Sequence, residues 1–236
     1  MRSERIFLAA LALAAAAAAA GAQAGGTPAA TYIGAEACLE CHSEVAKTLG
    51  PHGSPGFGKL SDHGCESCHG PGSLHADDPD VVANRPSLKG KSADEISATC
   101  QSCHAGREQF FWSSSTHATR GVTCTDCHSV HAPKSEDARL QASNMLEQCF
   151  SCHKNVRADL WKNSHHPVRE GKISCSDCHN PHGTQTAKMV RGDSVNELCF
   201  TCHTEKRGPL LSEHAPVRDS CLNCHTPHRP NPITLH

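Results

Sequence analysis

One pentapeptide pattern constrains this chain more than any other feature: Cys-x-x-Cys-His occurs eight times, and the copies use all 16 cysteines. They are Cys38–His42, Cys65–His69, Cys100–His104, Cys124–His128, Cys149–His153, Cys175–His179, Cys199–His203 and Cys221–His225, here motifs 1 to 8. A disulfide framework has no reason to place His directly after the second Cys every time. Zinc ribbons need two Cys pairs per metal and no following His, and iron–sulfur sites gain nothing from one. Covalent c-type haem attachment needs all three residues. Two thiols, set apart by a two-residue spacer, add to the vinyl groups of one porphyrin edge, and the adjacent His reaches the iron. The expected thioether residues are therefore Cys38, Cys41, Cys65, Cys68, Cys100, Cys103, Cys124, Cys127, Cys149, Cys152, Cys175, Cys178, Cys199, Cys202, Cys221 and Cys224. The expected proximal iron ligands are His42, His69, His104, His128, His153, His179, His203 and His225, giving eight haem c groups.

Composition agrees that polypeptide alone does not make the interior. Aromatic residues are 4% of the 236, with 6 Phe, 2 Trp and 1 Tyr, and a chain this poor in large apolar side chains cannot offset its own ordering entropy. The expected fold is a multihaem cytochrome c: loops and short α-helices around a stacked haem core, elongated, with little or no β-sheet. Without haem the chain is expected to be unfolded. The net charge of −2, with no run of like charges, excludes a nucleic-acid arm or a polybasic membrane patch.

Residues 1–24 carry Arg2 and Arg5, an apolar stretch Ile6–Ala20 and the small-x-small run Ala22-Gln23-Ala24. This is the pattern of a secretory signal peptide, which leaves 25–236 as an exported octahaem domain in the periplasm, or at the outer membrane or cell exterior. An uncleaved anchor is the alternative. No later stretch approaches the ~20 apolar residues of a spanning helix, so the mature chain is not expected to cross a membrane.

Eight of the 19 His are used as proximal ligands. Of the rest, each even-numbered motif has one upstream and one shortly after it: His52 and His75, His117 and His131, His165 and His182, His214 and His228. These eight are the candidate distal iron ligands, and they define four two-haem modules, about 30–80, 81–135, 136–185 and 186–236. Internal similarity supports the repeat. Cys149-Phe150-Ser151-Cys152-His153 matches Cys199-Phe200-Thr201-Cys202-His203, and His165-His166-Pro167-Val168-Arg169 matches His214-Ala215-Pro216-Val217-Arg218, which favours His165 over His166. Asn144-x-x-Glu147 and Ser194-x-x-Glu197 have capping-box spacing ahead of motifs 5 and 7. His63, His166 and His236 are expected to be dispensable. A His three residues past a proximal His, such as His182, is expected to serve a neighbouring haem, the odd one of its own module. Methionine is too scarce to be the general sixth ligand, so bis-His, low-potential haems are expected.

The run Gly64-Cys65-Glu66-Ser67-Cys68-His69-Gly70-Pro71-Gly72-Ser73-Leu74-His75, with the Cys-His-x-Pro-His endings at His182 and His228, resembles the periplasmic multihaem cytochromes of the MtrA/DmsE type, which are usually decahaem. The resemblance implies a thin chain of bis-His haems that passes electrons from a periplasmic or inner-membrane donor towards an outer-membrane acceptor, in some members from inside a porin. This chain has eight motifs where a typical member has ten, and eight haems are not expected to cross the outer membrane by themselves. The expected partners are other redox proteins: a quinol-oxidising or periplasmic cytochrome donor, a downstream cytochrome or reductase, and an outer-membrane porin. Haem propionates make the loaded chain strongly acidic, favouring basic docking patches. No catalytic residue is expected. The rival readings are a multihaem reductase, which requires an open iron, and a subunit of an extracellular conductive filament.

Overall fold

The computed structural model describes residues 29–53, 63–212 and 215–228. The leader, His214 and His236 lie outside the described residues. Within them the chain is a succession of short α-helices joined by loops and 3-10 turns: α1 Ala35–Ala46, α2 Glu66–His69, α3 Ser73–Asp77, α4 Ala93–Gln101, α5 Thr116–Thr119, α6 Cys124–Cys127, α7 Met145–Phe150, α8 Lys154–Leu160, α9 Cys175–Cys178, α10 Val195–Phe200 and α11 Ala215–Asp219. No strand forms among the described residues, only isolated bridges such as His128 to Leu140 and His179 to Val190, so the helix-and-loop fold is the one expected. No described helix is long and apolar enough to cross a membrane.

The motif itself makes a helical turn. The His amide donates to the carbonyl of the first Cys in motifs 2 to 8, at 2.9–3.1 Å (His69 to Cys65 3.1 Å, His104 to Cys100 2.9 Å). One such turn brings residues i, i+3 and i+4 to the same side, which is where two thiols and an imidazole must be to hold one porphyrin. The turns are started in two ways. Ahead of motifs 3, 5 and 7 the side chains of Ser92, Asn144 and Ser194 accept from the amides of Glu95, Glu147 and Glu197 at 3.3, 2.9 and 3.1 Å. Motifs 4 and 6 begin abruptly, and the Asp inside the spacer supplies the restraint: Asp126 and Asp177 each accept from the preceding backbone amide, of Thr123 and Ser174, at 2.7 Å. Both devices occupy the backbone donors that a helix start leaves without partners.

Amino-acid packing is thin. Among the described residues the buried apolar side chains are Trp112, Leu140, Phe150, Leu160 and Val190, while Val82, Phe110, Trp161 and Leu211 stand exposed. Polar staples do much of the fixing between distant stretches. The Glu66 carboxylate, 3% exposed, accepts from the amides of Ile33, Gly34 and Gly72, the shortest at 2.7 Å. Burial alone would raise this carboxyl; the backbone donors outweigh it and hold it below the ordinary 4.5. Arg191 grips Glu108 with two contacts, 3.2 and 2.8 Å, and Asn180 donates to the Glu108 carbonyl at 2.9 Å. Next to them Gly183, at φ +108, lies so close to Phe111 that a Cβ would come within 2.5 Å of its carbonyl oxygen.

Candidate functional site

Seven proximal imidazoles each face a second imidazole across a gap of one size. The ring-centroid separations are His42 to His75 6.2 Å, His69 to His131 6.1 Å, His104 to His52 6.1 Å, His128 to His182 6.0 Å, His153 to His117 6.2 Å, His179 to His228 5.9 Å and His203 to His166 6.4 Å. Two metal–imidazole bonds of ~2.0–2.1 Å, plus ~1.1 Å from each nitrogen to its ring centre, require about 6.2 Å. The gaps fit one metal ion with an imidazole on either side. No group of three or more His, Cys, Asp or Glu able to hold a metal forms among the described residues. Two opposed imidazoles are too few for a protein-only zinc site and suit the axial positions of an iron whose other four ligands come from a porphyrin. No disulfide joins any of the sixteen cysteines.

Second partners orient several rings. His117 and His166 place Nδ1 on the carbonyls of Pro181 and Pro227, at 2.8 and 2.9 Å, and the proximal His128 and His179 place Nδ1 on Ala138 and Lys188 carbonyls at 2.6 and 3.0 Å. An Nδ1–H held by a carbonyl leaves the Nε2 lone pair for a metal. The carbonyls that take His128 and His179 are aimed by two successive left-handed residues, Ala138 and Arg139 in one loop and Lys188 and Met189 in the other, at φ from 49° to 60°. For non-glycine residues each such backbone costs about 1 kcal/mol or more, a strain retained at the same place twice. Burial, then a facing proximal His, lowers His131, His182 and His228 below the usual imidazole range; burial, His104 and Arg139 do the same to His52. Nδ1 of His75, His131 and His182 is buried without a protein partner.

The structure pairs the sequence-selected histidines differently from expectation in two respects. First, His166, not His165, faces His203. Both ring nitrogens of His165 are engaged, Nδ1 with the Lys162 carbonyl at 2.6 Å and Nε2 with Glu170 at 3.1 Å, so no lone pair is aimed at a motif. Second, only His75 faces the odd motif of its own module. His131, His182 and His228 face the even motif of the preceding module, and His52, His117 and His166 the odd motif of the following one. His63 stacks on Tyr32, with centroids 4.0 Å apart. No ring facing His225 lies among the described residues.

The cysteines run in one continuous order. Thiols of first cysteines pair inside each module, Cys38 with Cys65, Cys100 with Cys124, Cys149 with Cys175 and Cys199 with Cys221. Second cysteines lie within electrostatic range across modules, Cys68 of Cys103, Cys127 of Cys152 and Cys178 of Cys202. Successive motifs are therefore spatial neighbours throughout. The hydrogen bond within each buried pair holds Cys124 and Cys175 below the ordinary thiol range and pushes Cys100 and Cys149 above it.

Three residue roles lay beyond the sequence reading. Glu66 sits in the motif 2 spacer; its position after Cys65 was visible, its backbone partners were not. Glu108 and Arg191 are paired across modules. Arg139 donates through one guanidinium nitrogen to the carbonyls of Thr48 and Val130, at 2.7 and 2.6 Å.

Comparison with known proteins agrees with this geometry. Residues 165–208 match the doubled CXXCH motif, 65–152 the cytochrome c-type protein NrfB-like family, and 8–70 the family of cytochrome c554 and c-prime. The multiheme cytochrome MtrA of Shewanella baltica is 40% identical over 79% of this chain and 58% of its own length. The C-type polyheme cytochrome OmcB of Geobacter sulfurreducens is 25% identical over 90% of this chain and 31% of its own. The chain thus spans less than two thirds of either relative's length. It is related to multihaem c-type cytochromes, whose haem-attachment motifs it carries.

Proposed function

We propose that this relative of the multihaem c-type cytochromes binds eight haem c groups and conducts electrons along them in motif order. Each haem would be held by two thioether cysteines and two imidazoles, in the seven pairs given above, with His214 proposed as the second ligand for the haem of His225. His166 replaces His165 in that set. The observation that carries the reading is the uniform 5.9–6.4 Å gap between facing imidazoles. Haem, when bound, supplies a one-electron ferric/ferrous couple, placed low by bis-His ligation.

The residues of the chain fix the rest. Cys-x-x-Cys turns hold neighbouring attachment points side by side, and backbone carbonyls set the imidazole tautomers. Paired imidazoles leave no coordination position for a substrate, which favours outer-sphere transfer over catalysis. We place the protein in the periplasm behind a signal peptide. Its donor is a quinol-oxidising or periplasmic cytochrome and its acceptor a downstream cytochrome or reductase, with an outer-membrane porin as a further partner.

Intact mass of the purified exported protein should show eight haem increments, and the reduced protein should bind no carbon monoxide. Six or fewer haems in matured protein defeats the count. Voltammetry should show a broad envelope at negative potential with no catalytic current from nitrite, hydroxylamine or tetrathionate. A sustained catalytic wave overturns the carrier assignment in favour of a reductase.

A further inference from the structure

The loops that follow motifs 4 and 6 share one plan. Each returns from the proximal His through two left-handed residues to a buried aliphatic side chain, Leu140 or Val190. At the second left-handed position one loop has Arg139 and the other Met189. The Arg139 side chain is 12% exposed. It packs directly on Gly50, which lies two residues before His52, takes φ +55 and has no room for a Cβ, and it donates to the carbonyl of Val130, the residue before His131, at 2.6 Å. Its Nε is buried with no protein partner. Its one carboxylate contact, Glu136 at 3.2 Å, is 82% exposed, so water screens most of that compensation.

At the corresponding junction beside His182 and His117 the charges are opposed and open to solvent. Met189 is neutral, the neighbouring Lys188 is exposed, and Arg191 is gripped by Glu108 through both carboxylate oxygens. The two act on His182 in opposite directions. One junction therefore holds a fixed cation shielded from water, its carboxylate partner exposed, and the other does not.

We propose that Arg139 raises the reduction potentials of the two haems bound at His69 with His131 and at His104 with His52, relative to the two bound at His128 with His182 and at His153 with His117. The inference rests on the paired-imidazole reading above. Oxidation adds one positive charge at an iron, and a cation shielded from water opposes it. Arginine is suited to the task because it stays charged at any working pH. A haem propionate that accepts from the partnerless Nε leaves the sign unchanged, since neutral Met offers the propionate nothing.

The test is an electron-counted redox titration of holoprotein, with haem content checked by mass. Arg139→Met should move two of the eight equivalents to more negative potential by about tenfold in the ferric/ferrous ratio, ~59 mV for a one-electron couple. Arg139→Lys, which keeps the charge and loses the fork, should restore most of the shift. Met189→Arg should move two other equivalents the opposite way. Equal shifts in Arg139→Lys and Arg139→Met would show a structural staple and overturn the proposal, as would fully loaded Arg139→Met with the parent's potentials. If Arg139→Met fails to assemble, Met189→Arg decides: no positive shift overturns the inference. High-spin haem or carbon monoxide binding in the parent would instead defeat the ligation reading, a result visible before any variant is made.

Discussion

At motifs 5 and 7 the haem-binding turn ends a six-residue helix, and the second Cys and proximal His lie exposed; at motifs 4 and 6 the turn stands alone, and the same two residues are half-buried. The facing His of motifs 3, 5 and 7 comes from earlier in the chain, tilted by 54–61° to its partner. That of motifs 2, 4 and 6 comes from later, at 20–36°. One pentapeptide thus produces two kinds of site. Those at motifs 3, 5 and 7 are cradled by local helix and open to solvent, and those at motifs 4 and 6 are closed by a returning loop. Context around the motif, not the motif, decides how firmly each proximal His is held.

The largest effects should come from the facing imidazoles. His182→Ala and His117→Ala should each let reduced protein bind carbon monoxide at one haem in eight, but His182→Ala should also cost more stability, because it empties a site closed on both sides. Equal stability losses, measured by urea unfolding, would remove the even–odd distinction. His166→Ala should likewise open one haem while His165→Ala opens none; the reverse result would restore the alignment-based choice.

A smaller loss is expected at Glu66, which ties an even motif to the segment before α1. Glu66→Ala should cost about 3 kcal/mol, the scale of hydrogen bonds to a charged acceptor plus stranded donors. Because folding depresses this carboxyl, its contribution is full above the ordinary 4.5 and is lost as pH falls through the lower folded value. The stability gap between parent and Glu66→Gln should therefore narrow only below pH 4.5. Cap removal at an odd motif, Asn144→Ala, should cost about 1 kcal/mol by the same unfolding assay. The finest distinction is spectroscopic: low-spin ferric signals should fall into two groups, the more anisotropic one from the tilted pairs at motifs 3, 5 and 7. A single uniform signal would contradict the two ring geometries.

Much of this molecule was readable from its residues. The spacing Cys-x-x-Cys-His is one helical turn, and the short gaps between motifs, with their Gly and Pro, foretold loops and short helices with little or no sheet. Asn144 and Ser194 are caps because Glu147 and Glu197 follow at the right distance. What could not be read depends on contacts between distant segments. His165 and His166 are adjacent, so either could have been presented by a loop, and only the hold of Glu170 on one and of the Pro227 carbonyl on the other separates them. Arg139 and Met189 occupy equivalent places, yet nothing local announces that Arg139 reaches back to Thr48. The repeat itself suggested self-contained modules, because similarity reveals equivalent residues and not which copy each one serves.

The pairing of histidines between modules has a consequence for how the protein is made. On the proposed ligation and the proposed export, when motif 3, 5 or 7 emerges from the export channel its second imidazole is already outside, waiting upstream. Motifs 2, 4 and 6 emerge before theirs, and each stays half-finished until the next module has followed it through. Maturation must then proceed as a relay: each newly delivered module finishes the even site left behind it and leaves another unfinished in its turn.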